Sequence, residues 1–327
     1  MDSWLADNLR CPRDQQSLVT KGDYSLVCSA GHSYPIHDGV PIMLLEEKPD
    51  TEPVFAATLK HAAEGTYTDP RKNNPLTPGE VDHIAQRLVG GSCGWMYRSL
   101  VNKLKRYPIP RLRLKASKGA RMLDIGCAWG RWSLAAAGMG YRAVGIDPSI
   151  YNVLAARRIA IQLGHTENIY LVADGRYLPF AEGCFDAVFS YSCLQHMGEE
   201  DVRLVLREIR RALKRGGISM IEMPNKAGLR NLYVQARRAF RKPTYTQVRY
   251  WRPKGLVSLY GECIGPTKLE IDGFFTINPQ VSDLDMLPLR YKVVVLASEA
   301  LRHVGRVVPG LTSVADSLYV ISTKLDT

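Results

Sequence analysis

The chain has 327 residues, of which 46% are hydrophobic and 23% are charged, and its formal net charge is +11. This length accommodates one large domain and a smaller one, and the composition is that of a globular protein. No run of about 18 apolar residues is present, and the first residues do not form a charged and then apolar leader, so neither a membrane span nor a signal peptide is expected.

The seven cysteines are scattered and odd in number, which argues against a disulfide framework and indicates reduced thiols. We therefore expect a cytoplasmic protein. The positive charge is concentrated in residues 199–254, which contain fifteen Lys or Arg and five Asp or Glu, a balance of +10. Such a segment forms either an ordinary solvated helix face or a surface for an anionic substrate, a nucleic acid or lipid head groups.

Residues 1–48 are predicted to form a separate small β unit. Cys11 and Asp14 lie on one tight turn, Cys28 and His32 lie on a second, and a short alternating segment between them predicts a hairpin. Two turns with closely spaced donors, joined by a hairpin, are typical of a zinc ribbon, in which the metal replaces a core that so short a segment cannot supply.

These four residues resemble the ligand positions of the small zinc-ribbon proteins that partner methyltransferases, and the second turn also resembles that of ribosomal-RNA guanine methyltransferases with an N-terminal zinc finger. Asp14 stands where the resembled ribbons carry a second cysteine, and thiolate is the better zinc donor. Two interpretations stay open. Cys11, Asp14, Cys28 and His32 hold a structural zinc ion, or they are the relic of a site that packing alone now holds together.

A buried strand that stops at a glycine turn and opens into a helix is predicted at residues 121–138. Gly126 and Gly130 allow a ligand to approach the backbone, and the N–H groups that open the helix point into the turn. A second strand ends in Asp147, 21 residues after Gly126, and an acid at about that spacing accepts ribose hydroxyls in dinucleotide-type folds. A third strand ends in Asp174, which could bond an adenine amino group.

Four signatures follow one another in this part of the chain: Leu-Asp-Ile-Gly-Cys-x-x-Gly, Val-Gly-Ile-Asp-Pro-Ser, Ala-Asp-Gly-x-x-Leu-Pro-Phe and Phe-Asp-Ala-Val-Phe-Ser. Together they resemble the class I S-adenosylmethionine-dependent methyltransferases, in the group that includes small-molecule and quinone methyltransferases. Ala128 stands where that family usually has a middle glycine. A NAD-binding Rossmann protein is the rival, but it prefers the complete G-x-G-x-x-G pattern and has no counterpart of the third signature.

The resemblance implies S-adenosyl-L-methionine as cofactor, with Asp147 on the ribose, Asp174 near the adenine and Gly126 beneath the methionine portion. The residues expected at the cofactor are Asp124, Gly126, Cys127, Gly130, Asp147, Pro148, Asp174, Gly175 and Ser190.

The predicted fold is α/β, with a Rossmann-like, seven-stranded, mainly parallel sheet that has helices on both faces. Its first five strands are expected at 121–125, 142–147, 169–173, 185–191 and 217–223, and the helices between them at 131–138, 149–163 and 199–215. Further helices are expected at 226–241 and 253–263, and the last two strands at 268–275 and 317–322.

Three domains are predicted. Residues 1–48 are the zinc-ribbon-like unit, residues 49–118 are a linker with N-terminal lid helices, and residues 119–327 are the methyltransferase domain with an insertion at about 276–316. The linker is expected at 47–74, from its Pro, Thr, Glu, Lys and Asn content, and the lid helices at 78–88 and 95–105. The resemblance implies that these helices cover the cofactor cleft.

The acceptor is expected beside the loop that follows the fourth strand of the sheet. His196 in this loop is the candidate base, because imidazole can take a hydroxyl proton near neutral pH, although it could instead only hydrogen-bond the loop. Glu222 and Asn225, at the end of the fifth strand, are weaker pocket candidates. The loop lacks the Asn/Asp-Pro-Pro-Tyr signature of amide and adenine-amino methylation.

We therefore expect O-methylation of a hydroxylated small molecule: a sugar, a lipid-linked or phosphorylated acceptor, or another metabolite. The basic segment favours an anionic acceptor and a peripheral membrane contact through the apolar face of the helix at 226–241. RNA, as tRNA or rRNA, is the alternative acceptor, favoured by the ribbon and the basic charge. A non-catalytic, methyltransferase-like binding subunit is the second alternative.

Overall fold

The computed structural model describes residues 2–47, 53–64, 79–244, 247–308 and 310–325, and in this part of the chain an eleven-stranded sheet forms the centre of the molecule. The strands are β1 Leu18–Lys21, β2 Ser25–Cys28, β3 Ser33–His37, β4 Val40–Met43, β5 Arg121–Ile125, β6 Arg142–Asp147, β7 Ile169–Ala173, β8 Phe185–Ser190, β9 Leu213–Pro224, β10 Thr267–Gly273 and β11 Ser317–Thr323.

Helices cover both faces of this sheet. The α-helices are α1 Ser3–Asn8, α2 Pro53–Glu64, α3 His83–Ser92, α4 Arg131–Gly138, α5 Ile150–Gln162, α6 Glu199–Ala212, α7 Leu229–Arg237, α8 Pro253–Cys263, α9 Leu289–Val304 and α10 Leu311–Val314, and short 3₁₀ helices span Trp95–Leu100, Leu194–His196 and Val281–Met286. Among the described residues, no helix has both the length and the apolar character needed to cross a bilayer.

The strand order is β1-β2-β3-β4-β7-β6-β5-β8-β9-β11-β10. The six strands from β4 to β9 in this order are parallel to one another, and β11 lies antiparallel between β9 and β10. The predicted α/β architecture with a mainly parallel sheet is therefore confirmed, and the five parallel strands expected between residues 121 and 223 are present.

The predicted count of seven strands is wrong, because four N-terminal strands continue the same sheet. β4 pairs in parallel with β7, with Ile42 opposite Val172 and Met43 opposite Ala173. All four residues of β4 are buried. The pairing satisfies backbone groups that an open β7 edge would otherwise present to solvent. A strand of four apolar residues carries no information about its partner, so the sequence could not show this connection.

The helix that precedes β9 shows how sequence periodicity positions an element. Val202, Leu206 and Ile209 recur at helical spacing on α6 and are fully buried against the sheet. The helix was expected to reach residue 215, but it ends at Ala212 because β9 begins at Leu213, two residues earlier than the expected end of the helix. The helix expected at 226–241 is likewise shorter, spanning Leu229–Arg237.

The segment expected to be a linker contains a helix. Residues 53–64 form α2, and the buried Thr58 hydroxyl of this helix donates to the Pro148 carbonyl at 2.9 Å and accepts from the Ile150 N–H at 3.4 Å. Helix α2 is therefore attached to the start of α5. Residues 48–52 and 65–78, and with them the rest of the linker and the first residue of the helix expected at 78–88, lie outside the described residues. That helix is observed as α3, over 83–92, and the helix expected at 95–105 is the 3₁₀ helix over 95–100.

Candidate cofactor and acceptor site

The turn after β5 is built on two glycines with left-handed backbone. Gly126 has φ +74° and Gly130 has φ +82°. A Cβ atom at Gly126 would lie 2.5 Å from the Cys193 Sγ atom, and one at Gly130 would lie 2.9 Å from the Tyr170 hydroxyl oxygen. Only glycine fits at either position. The turn therefore packs directly against the loop that follows β8, which brings the predicted cofactor and acceptor regions together.

Asp147 connects this turn to the start of α5. Its Oδ2 atom accepts from the Ala128 N–H at 3.0 Å, and its Oδ1 atom accepts from the Ser149 N–H at 2.9 Å and the Asn152 side chain at 3.1 Å. Ala128, where a glycine was expected, has φ +47°, so the chain keeps the left-handed turn without glycine. The carboxylate thus fixes the backbone of both turns at the carboxyl ends of β5 and β6.

Asp124 places a buried carboxyl group just before the turn. Its Oδ2 atom accepts from the Ser133 hydroxyl at 2.7 Å, and its Oδ1 atom has no hydrogen-bond partner among the described residues. Burial raises the pKa of this carboxyl to about 7, with a smaller contribution from the charge of Asp147. A buried, unpaired acceptor beside a glycine turn suits a ligand that brings its own hydrogen-bond donor.

Asp174 is held by a residue that sequence reasoning missed. Arg176 donates to it through its backbone N–H at 2.9 Å and its Nε at 2.9 Å, and the same guanidinium contacts Asp201 at 3.1 Å. The neighbouring Gly175 packs closely, since a Cβ atom there would lie 3.1 Å from Ile125. The adenine contact of Asp174 stays a prediction. An arginine two residues after the strand-end acid was the available signal for this ion pair.

Three further predicted cofactor residues hold the edge of the sheet in place. The Ser190 hydroxyl donates to the Ile125 carbonyl at 2.8 Å, and the Pro148 carbonyl accepts from α2. The Cys127 N–H donates to the Ile146 carbonyl at 2.9 Å. Burial raises the pKa of the Cys127 thiol well above its usual value, so this thiol is neutral. These contacts position the turns, and ligand contacts by the same residues stay predictions.

The loop after β8 carries His196 at the end of a 3₁₀ helix. The His196 ring is half-buried, with its Nε2 atom 3.3 Å from the Gln195 side-chain nitrogen, and its carbonyl accepts from Arg249. Gln195 also donates to the Ser192 carbonyl at 3.1 Å. The loop is therefore braced by hydrogen bonds, and a role for His196 as base stays a prediction.

Next to this loop, the ends of three strands form a buried polar cluster. Glu222 of β9 accepts from the N–H and the hydroxyl of Ser192, at 2.9 and 3.1 Å, and its Oε1 atom lies 2.5 Å from the Ser317 hydroxyl oxygen. Asp272 of β10 accepts from Ser317 at 3.0 Å and from the Tyr191 hydroxyl at 2.8 Å. Burial, and then the charge of Asp272, raise the pKa of Glu222 to about 7. Sequence reasoning suggested Glu222 but missed Asp272 and Ser317, because strand residues 45 to 95 positions apart leave no local signal.

Residues 123–221 match the family model described as a methyltransferase domain. This segment, called the methyltransferase domain below, is similar to that family. It contains the glycine turn, Asp147, Asp174 and the loop with Ser192, whereas Glu222, Asp272 and Ser317 lie after its last matched residue.

Two curated relatives match part of this chain at modest identity. The chain is 33% identical over 108 residues to O-methyltransferase resE of Aspergillus sclerotiorum, which is 32% of this chain and 39% of that protein. It is 33% identical over 113 residues to a ubiquinone biosynthesis O-methyltransferase of Azorhizobium caulinodans, which is 35% of this chain and 44% of that protein. The chain therefore spans less than half the length of these relatives.

Solved structures similar to this chain include the Haloferax volcanii complex of the Trm112 methyltransferase activator and a putative methyltransferase, with a TM-score of 0.49 and 15% identity over 75% of this chain and 95% of that chain. A second is an S-adenosylmethionine-dependent methyltransferase of Methanosarcina mazei, with a TM-score of 0.46 and 18% identity over 65% of this chain and 96% of that chain.

The four predicted metal ligands lie together, outside the methyltransferase domain. Their donor atoms, from Cys11, Asp14, Cys28 and His32, all lie within 4.8 Å of one another. The His32 Nδ1 atom is 3.3 Å from Cys28 Sγ, 3.5 Å from Cys11 Sγ and 3.0 Å from the Asp14 carboxylate. Donors around tetrahedral zinc are separated by about 3.3–3.8 Å, given Zn–N and Zn–S bonds of about 2.0 and 2.3 Å. The donor set therefore fits zinc.

Proposed function

We propose that this chain is an S-adenosylmethionine-dependent class I methyltransferase that transfers a methyl group to a hydroxyl of a small molecule. The observation that carries the proposal is the contact between Gly126 and Cys193, which joins the glycine turn to the loop beside the buried polar cluster. Methyl transfer is an in-line displacement, so the enzyme must chiefly hold two reactants together and exclude water. The matched methyltransferase domain and the O-methyltransferase names of two relatives support the same reaction.

The residues at the turn suit the cofactor, whose sulfonium supplies the methyl group when it is bound. Asp147 would accept the ribose hydroxyls, Asp174 would lie near the adenine, and Gly126 would lie beneath the methionine portion. The unpaired Oδ1 atom of Asp124 offers a buried acceptor beside that portion. Because these groups sit on the ends of adjacent parallel strands, they lie on one edge of the sheet, where ligands of such folds bind.

A small acceptor is favoured over RNA by how the basic residues of α6 are used. Arg203 pairs with Glu262 at 2.8 Å, Arg210 donates to the Ile264 carbonyl, and Arg211 pairs with Glu208 at 2.7 Å. These cations are engaged within the protein and do not form an open row for successive phosphates. RNA therefore remains the alternative methyl acceptor, and the acceptor experiment below distinguishes it from a small molecule.

An anionic or lipid-linked acceptor is favoured by α7 and the residues that follow it. Leu229, Leu232, Tyr233 and Phe240 are exposed, at 56, 43, 61 and 66%. Exposed basic side chains lie on the same stretch of chain, at Arg237, Arg241 and Lys242. Apolar side chains flanked by cations suit contact with an anionic lipid surface, so we propose a peripheral membrane contact here.

The N-terminal cluster is proposed to hold one structural zinc ion. Cys11, Asp14, Cys28 and His32 would fill all four tetrahedral positions, which leaves no open position for catalysis. The domain boundaries at about residues 48 and 118, and the insertion at about 276–316, are retained as part of this proposal.

Calorimetry with S-adenosylhomocysteine tests the cofactor assignment. Wild-type protein should bind, and Asp147→Ala should weaken binding by about 1.5–3 kcal/mol, the size of a hydrogen bond to a charged group. Asp23→Ala, on the exposed turn between β1 and β2, is the control and should bind like the wild type. Folded wild-type protein that does not bind would overturn the proposal.

The acceptor class is tested with labelled S-adenosylmethionine and two acceptor pools, a set of ring-substituted phenols and total tRNA. Methyl transfer to phenols with a shallow dependence on salt supports a small acceptor. Steeply salt-dependent transfer to tRNA, with log K falling linearly in log salt, would establish RNA instead. Binding of S-adenosylhomocysteine without transfer to either pool would favour a non-catalytic subunit.

A further inference from the structure

Ser192 occupies a constrained position between the glycine turn and the buried cluster. Its φ is +54°, a left-handed conformation that serine adopts rarely. Both its N–H and its hydroxyl point to the same Glu222 oxygen, Oε2. The half-buried Ser192 directly precedes Cys193, which packs on Gly126. The Ser192 hydroxyl is therefore held next to the glycine turn at which the methyl donor is proposed to bind.

In the polar cluster next to Ser192, one serine hydroxyl contacts two carboxyl groups. The Ser317 oxygen lies 2.5 Å from Glu222 Oε1 and 3.0 Å from Asp272 Oδ2. A serine hydroxyl has a single proton and can donate to only one of these carboxyl groups. The other contact is a hydrogen bond only if that carboxyl is itself protonated and donates to Ser317. The geometry thus fits a cluster with one protonated carboxyl group.

Charges around the cluster assign this proton to Glu222. Asp272 is stabilised as a carboxylate by the Tyr191 hydroxyl at 2.8 Å and by Arg113, whose guanidinium lies 3.5 Å from its other oxygen. Glu222 is 4% exposed and has no cation among its hydrogen-bond donors in the described part of the chain.

In the described part of the chain, Tyr191, Tyr319 and Tyr260 also lie close enough to Glu222 to interact with its charge. Tyr319 of β11 and Tyr260 of α8 are fully buried, and burial raises the pKa of each well above its usual value, so both are neutral. Asp272, with Arg113 behind it, is the charged neighbour. The pKa of about 7 for Glu222 follows from burial and from the Asp272 charge, so near neutral pH this carboxyl can both hold and accept a proton.

We propose that Ser192 and Glu222 form a proton relay on the acceptor side, with Asp272 and Ser317 as positioning residues. The inference rests on the proposed function, since the relay serves a hydroxyl acceptor. The step starts from the ionised form of Glu222: the acceptor O–H gives its proton to Ser192 Oγ as the Ser192 proton passes to Glu222 Oε2. The acceptor oxygen bonds to the methyl carbon, the S–CH3 bond of the sulfonium breaks to leave a neutral thioether, and the displaced positive charge is carried by the proton on Glu222.

The shared proton is tested without turnover by infrared difference spectroscopy over a pH titration. The wild type should show a protonated-carboxyl C=O band that disappears near pH 7 and is missing in Glu222→Gln. Asp124 titrates in the same range, so the signal is the band lost between the wild type and the variant. Glu270→Gln, on the β10 strand that also carries Asp272 and paired with Lys268, is the matched control and should keep the band. An unchanged spectrum in Glu222→Gln would overturn the proposal.

The relay itself is tested with phenols of graded acidity as acceptors. Ser192→Ala and Glu222→Gln should each lose at least about 100-fold in kcat/KM with the least acidic phenol, and the loss should shrink for acidic phenols that ionise unaided. Calorimetry should show unchanged affinity for S-adenosylhomocysteine. An equal loss across the series indicates a structural role and contradicts the relay. A wild type that binds S-adenosylhomocysteine but methylates no phenol would count against the proposed acceptor class, and the infrared band would still decide the shared proton.

Discussion

The side chain of Cys193 rests on the backbone of Gly126, so closely that a Cβ atom at Gly126 would lie 2.5 Å from Cys193 Sγ and 2.7 Å from Cys193 Cβ. These two residues belong to the turn after β5 and the loop after β8, which are adjacent because the two strands pair in parallel. The spacing between the turn proposed to bind the cofactor and the loop proposed to face the acceptor therefore depends on the absence of a side chain at Gly126.

Gly126→Ala should destabilise the protein more than alanine at a comparable open glycine. Gly164, with φ +78° and open space where a Cβ atom would lie, provides the control. Gly164→Ala should cost about 1–2 kcal/mol for the left-handed conformation alone, and Gly126→Ala should cost about 1–3 kcal/mol more from overpacking. Urea unfolding measures both.

The added cost at Gly126 should depend on Cys193. In the double variant Gly126→Ala/Cys193→Gly, most of the overpacking term should disappear, because both contacting atoms are removed. A double-mutant cycle with no coupling would show that the two residues do not contact in solution.

Asp124 should make the protein less stable as pH rises. Burial raises the pKa of this carboxyl from its ordinary value of 3.8 to about 7 in the folded state, so between these values the folded chain binds more protons than the unfolded chain. The stability contribution is complete below about pH 4 and is lost as pH rises through 7, with a slope of up to about 1.4 kcal/mol per pH unit. Asp124→Asn should flatten this part of the profile of unfolding free energy, and the exposed Asp23→Asn should leave it as in the wild type.

Purified protein should contain about one zinc ion per chain, because four donors converge within 4.8 Å. Cys28→Ser should lose the metal, whereas Cys184→Ser, a buried thiol outside the cluster, should retain it. Asp14→Cys should tighten binding, since thiolate is the better zinc donor. A metal-free wild type of full stability, with zinc binding gained only in Asp14→Cys, would identify the cluster as a relic.

Helix α2 should become more protected when S-adenosylhomocysteine binds. Thr58 ties this helix to Pro148 and Ile150, directly after Asp147. Thr58→Val should remove both hydrogen bonds at a cost of about 1–3 kcal/mol and should weaken ligand binding. Hydrogen exchange measures the protection, and Thr20→Val on the exposed β1 serves as control. Equal exchange of α2 with and without ligand would mean that this helix does not cover the bound S-adenosylhomocysteine.

The sequence could predict those parts of the fold that depend on residues close together in the chain. The β5 turn, the end of β6 at Asp147 and the buried stripe of α6 each depend on residues a few positions apart, so spacing alone located them. The eleven-stranded sheet and the Asp272–Ser317–Glu222 cluster depend on residues that are distant in the chain. Hydrophobic pattern predicts that a strand is buried but not which strand lies beside it.

The pairing of β4 with β7 also bears on how the molecule is made. Ile42 is synthesised 130 residues before its partner Val172. During that part of synthesis, the edge of β4 that pairs with β7 in the folded protein has no partner strand. Closing so long a loop costs conformational entropy before the β4–β7 hydrogen bonds can stabilise the chain. We therefore expect this pairing to form late in folding. During that interval, the unpaired edge of β4 can pair with a strand of another chain. The same edge is a site at which a chaperone could bind the nascent protein.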